Sequence, residues 1–204
     1  MAGSDVKAVT ITADTVAADD DGISTNASVG NNAALTIGGA LADSGSVTLS
    51  HGRKVTVTSA GDDSSKSFTI VGTDVNGDSQ TETLTGANAG TATSSNYFLT
   101  IASITAVGNP AGNVKAGISA DAADVVFAGR TRLKGVFLSS TATAGTTDFL
   151  TTSPTGTSLF KLRSIASATA TRDVTIPSEG VVFESGIFIQ YTVSTFLLMT
   201  VFHS

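Results

Sequence analysis

Residues 70–86 read IVGTDVNGDSQTETLTG, and whether they form a metal loop or a hairpin decides the fold around them. Asp74, Asn76 and Asp78 are spaced two apart, as in a calcium loop. An EF-hand loop also needs glycine at its sixth position and glutamate at its twelfth. Counted from Asp74, those positions hold Ser79 and Thr85, and the glycine comes one place early at Gly77. The spacing therefore predicts a strand over SFTIVGTD, a hairpin turn at Asn76-Gly77 and a returning strand over SQTETLTG. Asn-Gly suits a two-residue type I′ turn, whose central residues both need positive φ.

The same two-residue period extends outward. AVTIT places Val9 and Ile11 on one face, ALTIGG places Leu35 and Ile37, SVTLS places Val47 and Leu49, and KVTVTS places Val55 and Val57. Thr or Ser separates the apolar residues, the pattern of a sheet with one wet face. Clusters such as DDDG, GNN, SHG and AGDDSS fall between these runs and predict turns. In 91–108, Tyr97, Leu99 and Ile101 share a face and Ile104 falls on the other, which predicts a bulge near Ala102–Ser103.

NPAGNVKAGISADAAD is the least hydrophobic stretch, and the domain boundary is placed within it. The expected fold class is all-β: an antiparallel β-sandwich over 1–118, then a smaller β-sandwich or barrel over 119–204 that serves as an oligomerisation module. SADAADVVFAG offers one helical turn at most. The second half alternates in TRLKGVFLSS, TDFLTT, SLFKLRSIAS and RDVTIP, then becomes continuously apolar. IPSEGVVF reads as strand, turn, strand. TFLLMTVF is apolar on both faces, with Phe196, Leu198 and Phe202 on one and Leu197, Met199 and Val201 on the other. A strand of this kind lies in a sandwich centre or under a partner.

Composition narrows the function. The 204 residues carry 17 acidic and 11 basic side chains, a net charge of −6, with no cysteine. The basic residues are scattered, so a nucleic-acid partner is not expected. No run approaches the roughly 20 apolar residues of a membrane helix, and the start MAGSDVKAVT lacks a signal-peptide pattern. The absence of cysteine fits synthesis in a reducing cytoplasm and excludes thiolate zinc sites. No internal repeat stands out.

Catalytic patterns are missing as well. His51 and His203 are far apart in sequence, and no G-x-S-x-G elbow, P-loop or H-E-x-x-H occurs. A carboxylate pair for glycosidase chemistry would show only in three dimensions. Asp19, Asp20 and Asp21, with Asp14 nearby, read as a solvated acidic loop or a weak cation site. Arg130, Arg132 and Lys134 form a basic stripe. It suits either an acidic surface on another subunit or the polar side of an edge strand. No catalytic, metal or cofactor residue is assigned, and no cofactor is expected.

SFTIVGTDVNGDSQTETLTG, NYFLTIASITAVG, GRTRLKGVFLSS and IPSEGVVFESGIFIQYTVSTFLLMTVF resemble segments of virion structural proteins of tailed bacteriophages. The resemblance implies a non-enzymatic, oligomeric component of the particle and transfers no catalytic residue. The expectation is a capsid decoration, or cement, protein on the virion surface, made in the host cytoplasm. It would bind the major capsid protein and form a homotrimer. The alternatives are a tail, neck or fibre component, or a surface carbohydrate-binding or adhesin module. The candidate interface comprises Phe196, Leu197, Leu198, Met199, Val201 and Phe202, with Arg130, Arg132 and Lys134.

Overall fold

The computed structural model describes residues 5–165 and 170–204. The described chain is all-β, built in chain order from β1 (Lys7–Thr12), β2 (Asp19–Ala27), β3 (Ala42–Asp43), β4 (Ser46–Ser59), β5 (Ser67–Thr73), β6 (Ser79–Thr85), β7 (Thr91–Val107), β8 (Val114–Phe127), β9 (Thr131–Ser140), β10 (Gly145–Thr151), β11 (Thr157–Ser164), β12 (Thr171–Thr175), β13 (Val181–Phe183), β14 (Ile187–Thr192) and β15 (Phe196–His203). The last two residues of SLFKLRSIAS, Ala166 and Ser167, lie outside the described residues. Two compact units result: 17–120, and 1–16 together with 121–204.

In the unit of residues 17–120, β4, β7, β5 and β6 follow one another in an antiparallel sheet, with β3 on β4 and β2 on the first half of β8. Alternate residues of these strands bury Val55, Val57, Phe68, Ile70, Phe98 and Ile104 in one cluster. Each such side chain contributes about 1.5–3 kcal/mol by leaving water. The phase slip read from the sequence is a bulge. Val71 lies opposite Ser103 and Gly72 opposite Ile101, so Ala102 is the extra residue. Gly72 is needed there, because a Cβ would stand 1.9 Å from the Thr100 carbonyl oxygen.

The quoted hairpin exists, but with another turn. Thr73 pairs with Ser79, and Asp74 N–H donates to the Asp78 carbonyl at 2.8 Å. Gly77 N–H returns to the Asp74 carbonyl at 3.1 Å. Gly77 has φ +86°, whereas Asn76 is not left-handed. This is a three-residue loop closed by a glycine bulge, not the expected type I′ turn. Asp74 decides it, since its Oδ1 accepts the N–H groups of Asn76 and Asp78. The two-residue turn with both φ positive joins β3 to β4 instead, at Ser44 (+51°) and Gly45 (+84°).

Other local readings change too. SVTLS and KVTVTS form one strand, β4, in which the SHG segment makes a register irregularity and not a turn. DDDG opens β2. ALTIGG contributes only a bridge, Ala34 to Thr105, beside the end of β7 that β4 does not reach. On its other side, β7 before Thr100 extends past β5, and side chains of β6 serve its backbone there. Glu82 accepts the N–H groups of Ser95 and Asn96, and the Gln80 amide donates to the Tyr97 carbonyl.

In the other unit, β1–β15–β9–β12 form one antiparallel sheet, with β13 also on β9. β11, β10, β14 and the second half of β8 form a second. Their inward residues, including Phe149, Ile187 and Ile189 against Leu133, Val136 and Met199, make one sandwich core. Here β1 pairs with β15 from Lys7↔His203 to Thr12↔Leu198. The first strand therefore belongs with the last, and not with the N-terminal domain in which its sequence position placed it. SADAADVVFAG lies mostly in β8, which runs unbroken through both the expected 118/119 boundary and the 120/121 position where the units part. Its small buried residues, Ala116, Ala122 and Ala123, lower local hydrophobicity without ending the strand. IPSEGVVF is a turn between two strands, as read: β12 ends at Thr175, Ser178 and Gly180 take positive φ, and β13 begins at Val181, with both strands paired along β9.

Candidate functional site

The residues singled out for an interface gather on the β1–β15–β9–β12 sheet, on two faces. Phe196 pairs with Ser140 and Leu198 with Ser139, so Leu197 is an inserted residue. This bulge rotates the strand. Phe196, Met199 and Val201 point into the core of their own unit. Leu197 is 52% exposed, while Leu198 and Phe202 are half-buried on the outer face. The expected grouping of Phe196 with Leu198 and Phe202, and of Leu197 with Met199 and Val201, is thus corrected. The physical reason is the extra residue, which breaks the two-residue period.

On the outer face, Phe202 stands opposite Gly135 and Thr200 opposite half-buried Phe137. Gly135 has no side chain, so Phe202 lies over bare backbone. Phe137, Leu198 and Phe202 share this face with exposed Leu197. β15 is bonded to β1 on one side and β9 on the other. A partner would have to press against the face, because those edges are filled.

The basic stripe borders this face. Arg130 Nε meets Glu184 Oε2 at 2.7 Å. Lys134 Nζ donates to the Glu179 carbonyl at 3.0 Å, and Arg132 Nη1 approaches the same oxygen at 3.4 Å. The stripe is answered within its own chain. β9 lies between β15 and β12–β13, so the edge-strand reading is overturned. Exposed ion pairs of this type contribute about 0–1 kcal/mol each and mainly set charge pattern.

Asp19, Asp20 and Asp21 bring their carboxylates within 4.8 Å of one another at the start of β2. Lys115 on β8 pairs with Asp20, a contact that holds the lysine's proton above its ordinary value. Asp14 lies in the other unit, where it is buried and caps the N–H of Val16. His51 lies within β4, and His203 is buried at the end of β15.

Two polar features escape sequence reading. Arg53 is fully buried and donates through Nε and Nη2 to the Ser119 carbonyl. Tyr191 joins Asp14 to Asp124: its hydroxyl accepts the Asp14 N–H at 3.2 Å and donates to Asp124 Oδ2 at 3.0 Å. Burial, and then the Asp124 charge, push the phenol's ionisation far above its ordinary value. Arg53 sits in an alternating strand like any surface arginine, and the Tyr191 partners are distant in sequence.

No family model, no curated protein and no solved structure matches the chain.

Proposed function

We propose that the protein is a non-enzymatic virion component that decorates the assembled head of a tailed phage. The observation that carries this reading is the outer face of β15 and β9. Exposed Leu197 stands beside half-buried Leu198, Phe202 and Phe137 on a sheet whose central strands are already paired. A surface of that kind suits face-to-face docking on another subunit. The phage setting rests on the resemblance of the quoted segments. Binding the assembled lattice and not the free subunits would stabilise the lattice by mass action. In the proposed arrangement three copies surround a local three-fold axis and the major capsid protein lies beneath them.

The test is location and copy number. The protein should be found on the head in many copies per particle, and light scattering of the isolated chain should give about three times its 20.4 kDa mass. A few copies at the tail or neck would overturn the decoration reading and favour the tail, neck or fibre alternative. A monomer that binds no particle would overturn both.

A further inference from the structure

The loop that closes the β5–β6 hairpin carries a chemically labile pair. Asn76 and Gly77 are both exposed at its tip, and nothing stands within 4 Å of the place a Gly77 Cβ would occupy. An asparagine followed by glycine can react with its own backbone. The Gly77 nitrogen attacks Asn76 Cγ and a C–N bond forms. The proton it gives up passes through solvent to Nδ2, which leaves as ammonia. Water then opens the cyclic imide at either carbonyl, leaving aspartate or isoaspartate at position 76. Nothing is oxidised or reduced. Glycine favours the step because no side chain shields its nitrogen.

The folded loop restrains both reacting groups. Residues 74–77 form a type I turn: Gly77 N–H donates to the Asp74 carbonyl at 3.1 Å, and neither Val75 nor Asn76 takes positive φ. At the third position of such a turn ψ is about 0°, which swings the following nitrogen toward the N–H of Asn76 and away from its side chain. The amide under attack is held as well. Asn76 Nδ2 donates to Asp74 Oδ2 at 3.3 Å, while Asp74 Oδ1 accepts the backbone N–H groups of Asn76 and Asp78. Buried Val75 anchors the loop to the fold. We infer that Asn76 is a latent deamidation site, which the Asp74 carboxylate keeps closed in the native hairpin and which reacts when the loop lets go. The product fixes the open state. A carboxylate at position 76 replaces the amide that donates to Asp74 Oδ2, so two like charges meet where a hydrogen bond stood. Isoaspartate also lengthens the backbone by one methylene inside a three-residue loop.

This inference does not depend on the decoration reading, since it needs only the hairpin. The experiment incubates the full chain at mildly alkaline pH, in buffer and in denaturing urea, and follows the peptide that holds residues 74–78 by mass spectrometry. An isoaspartate-specific methyltransferase reports the rearranged product. In urea Asn76 should gain one mass unit, and the native chain should do so at least about tenfold more slowly, because only the opened loop reacts. Asp74→Ala, shown by circular dichroism to be folded, should deamidate several-fold faster than the native parent. If it does not fold, Asp74→Asn takes its place, since its side-chain oxygen still accepts the backbone N–H groups while its amide cannot accept from Asn76 Nδ2. Asn76→Asp should lower the urea midpoint, and should lower it less in an Asp74→Asn background. Three results would overturn the inference: the native parent deamidates as fast as the unfolded one; the folded Asp74 variant reacts no faster than the parent; or Asn76→Asp leaves the midpoint unchanged.

Discussion

The hydroxyl of Thr131 lies 3.1 Å from Nδ1 of His203, and both residues are buried. The same hydroxyl donates to the Ser204 carbonyl at 3.0 Å. A threonine has one proton to give, so it accepts from the imidazole, and Nδ1 carries the hydrogen. The ring of Phe127 packs on the imidazole at 5.2 Å between centroids. Burial lowers the proton affinity of His203, and the Lys7 ammonium, opposite it in the register, lowers it further.

A pH dependence follows. The unfolded histidine titrates near its ordinary value of about 6.5, and the folded one below it. Between the two, the unfolded state binds more protons, so stability falls as pH falls through this window. It is fully present above the ordinary value, and the loss levels off once both states are protonated. Urea midpoints between neutral pH and pH 5 should therefore decline, and His203→Gln should flatten the decline. An equal slope in the variant would place the titration elsewhere.

The hairpin loop gives a second expectation. Gly77 has φ +86° with open space around it, so conformation and not crowding selects glycine. Gly77→Val should lower stability by more than ~1 kcal/mol, because a β-branched residue resists positive φ. Asp74→Ala should also destabilise, by about 1 kcal/mol, since two backbone N–H groups lose their acceptor. Denaturation midpoints would check both. Unchanged midpoints would mean that the loop adopts another geometry.

The faces of β15 can be separated by charge. Met199 is fully buried, and Met199→Asp should cost more than ~3 kcal/mol and unfold its unit. Leu197→Asp should leave the fold within about 0.5 kcal/mol of the parent. If the outer face is the proposed interface, Leu197→Asp dissociates the assembly while circular dichroism stays unchanged. An assembly that survives Leu197→Asp together with Phe202→Asp must use another surface.

Tyr191→Phe should destabilise by about 1–3 kcal/mol although no volume is lost. The variant leaves the buried Asp14 N–H without the hydroxyl it meets and removes a donor from Asp124. A thermal melt measures this. A variant as stable as the parent would show that solvent replaces the hydroxyl at no cost.

The sequence by itself determined the all-β class, most of the strands and the bulge at Ala102. Each follows from a two-residue period of side-chain burial that is local to a strand. It also announced a turn at 74–78, but not its type. Gly77 alone takes positive φ, and the Asp74 carboxylate, reaching two and four residues along the chain, selects a longer loop. Tertiary structure decided the rest. Lys7 meets His203 across nearly the whole chain, and nothing local to either residue encodes that pairing. β8 runs through the stretch where the units part, at 120/121, because its buried alanines read as weakly hydrophobic without ending the strand. Leu197 and Met199 share a parity in the sequence, yet one is exposed and the other buried. The bulge that separates them exists only against Ser139 and Ser140 of β9.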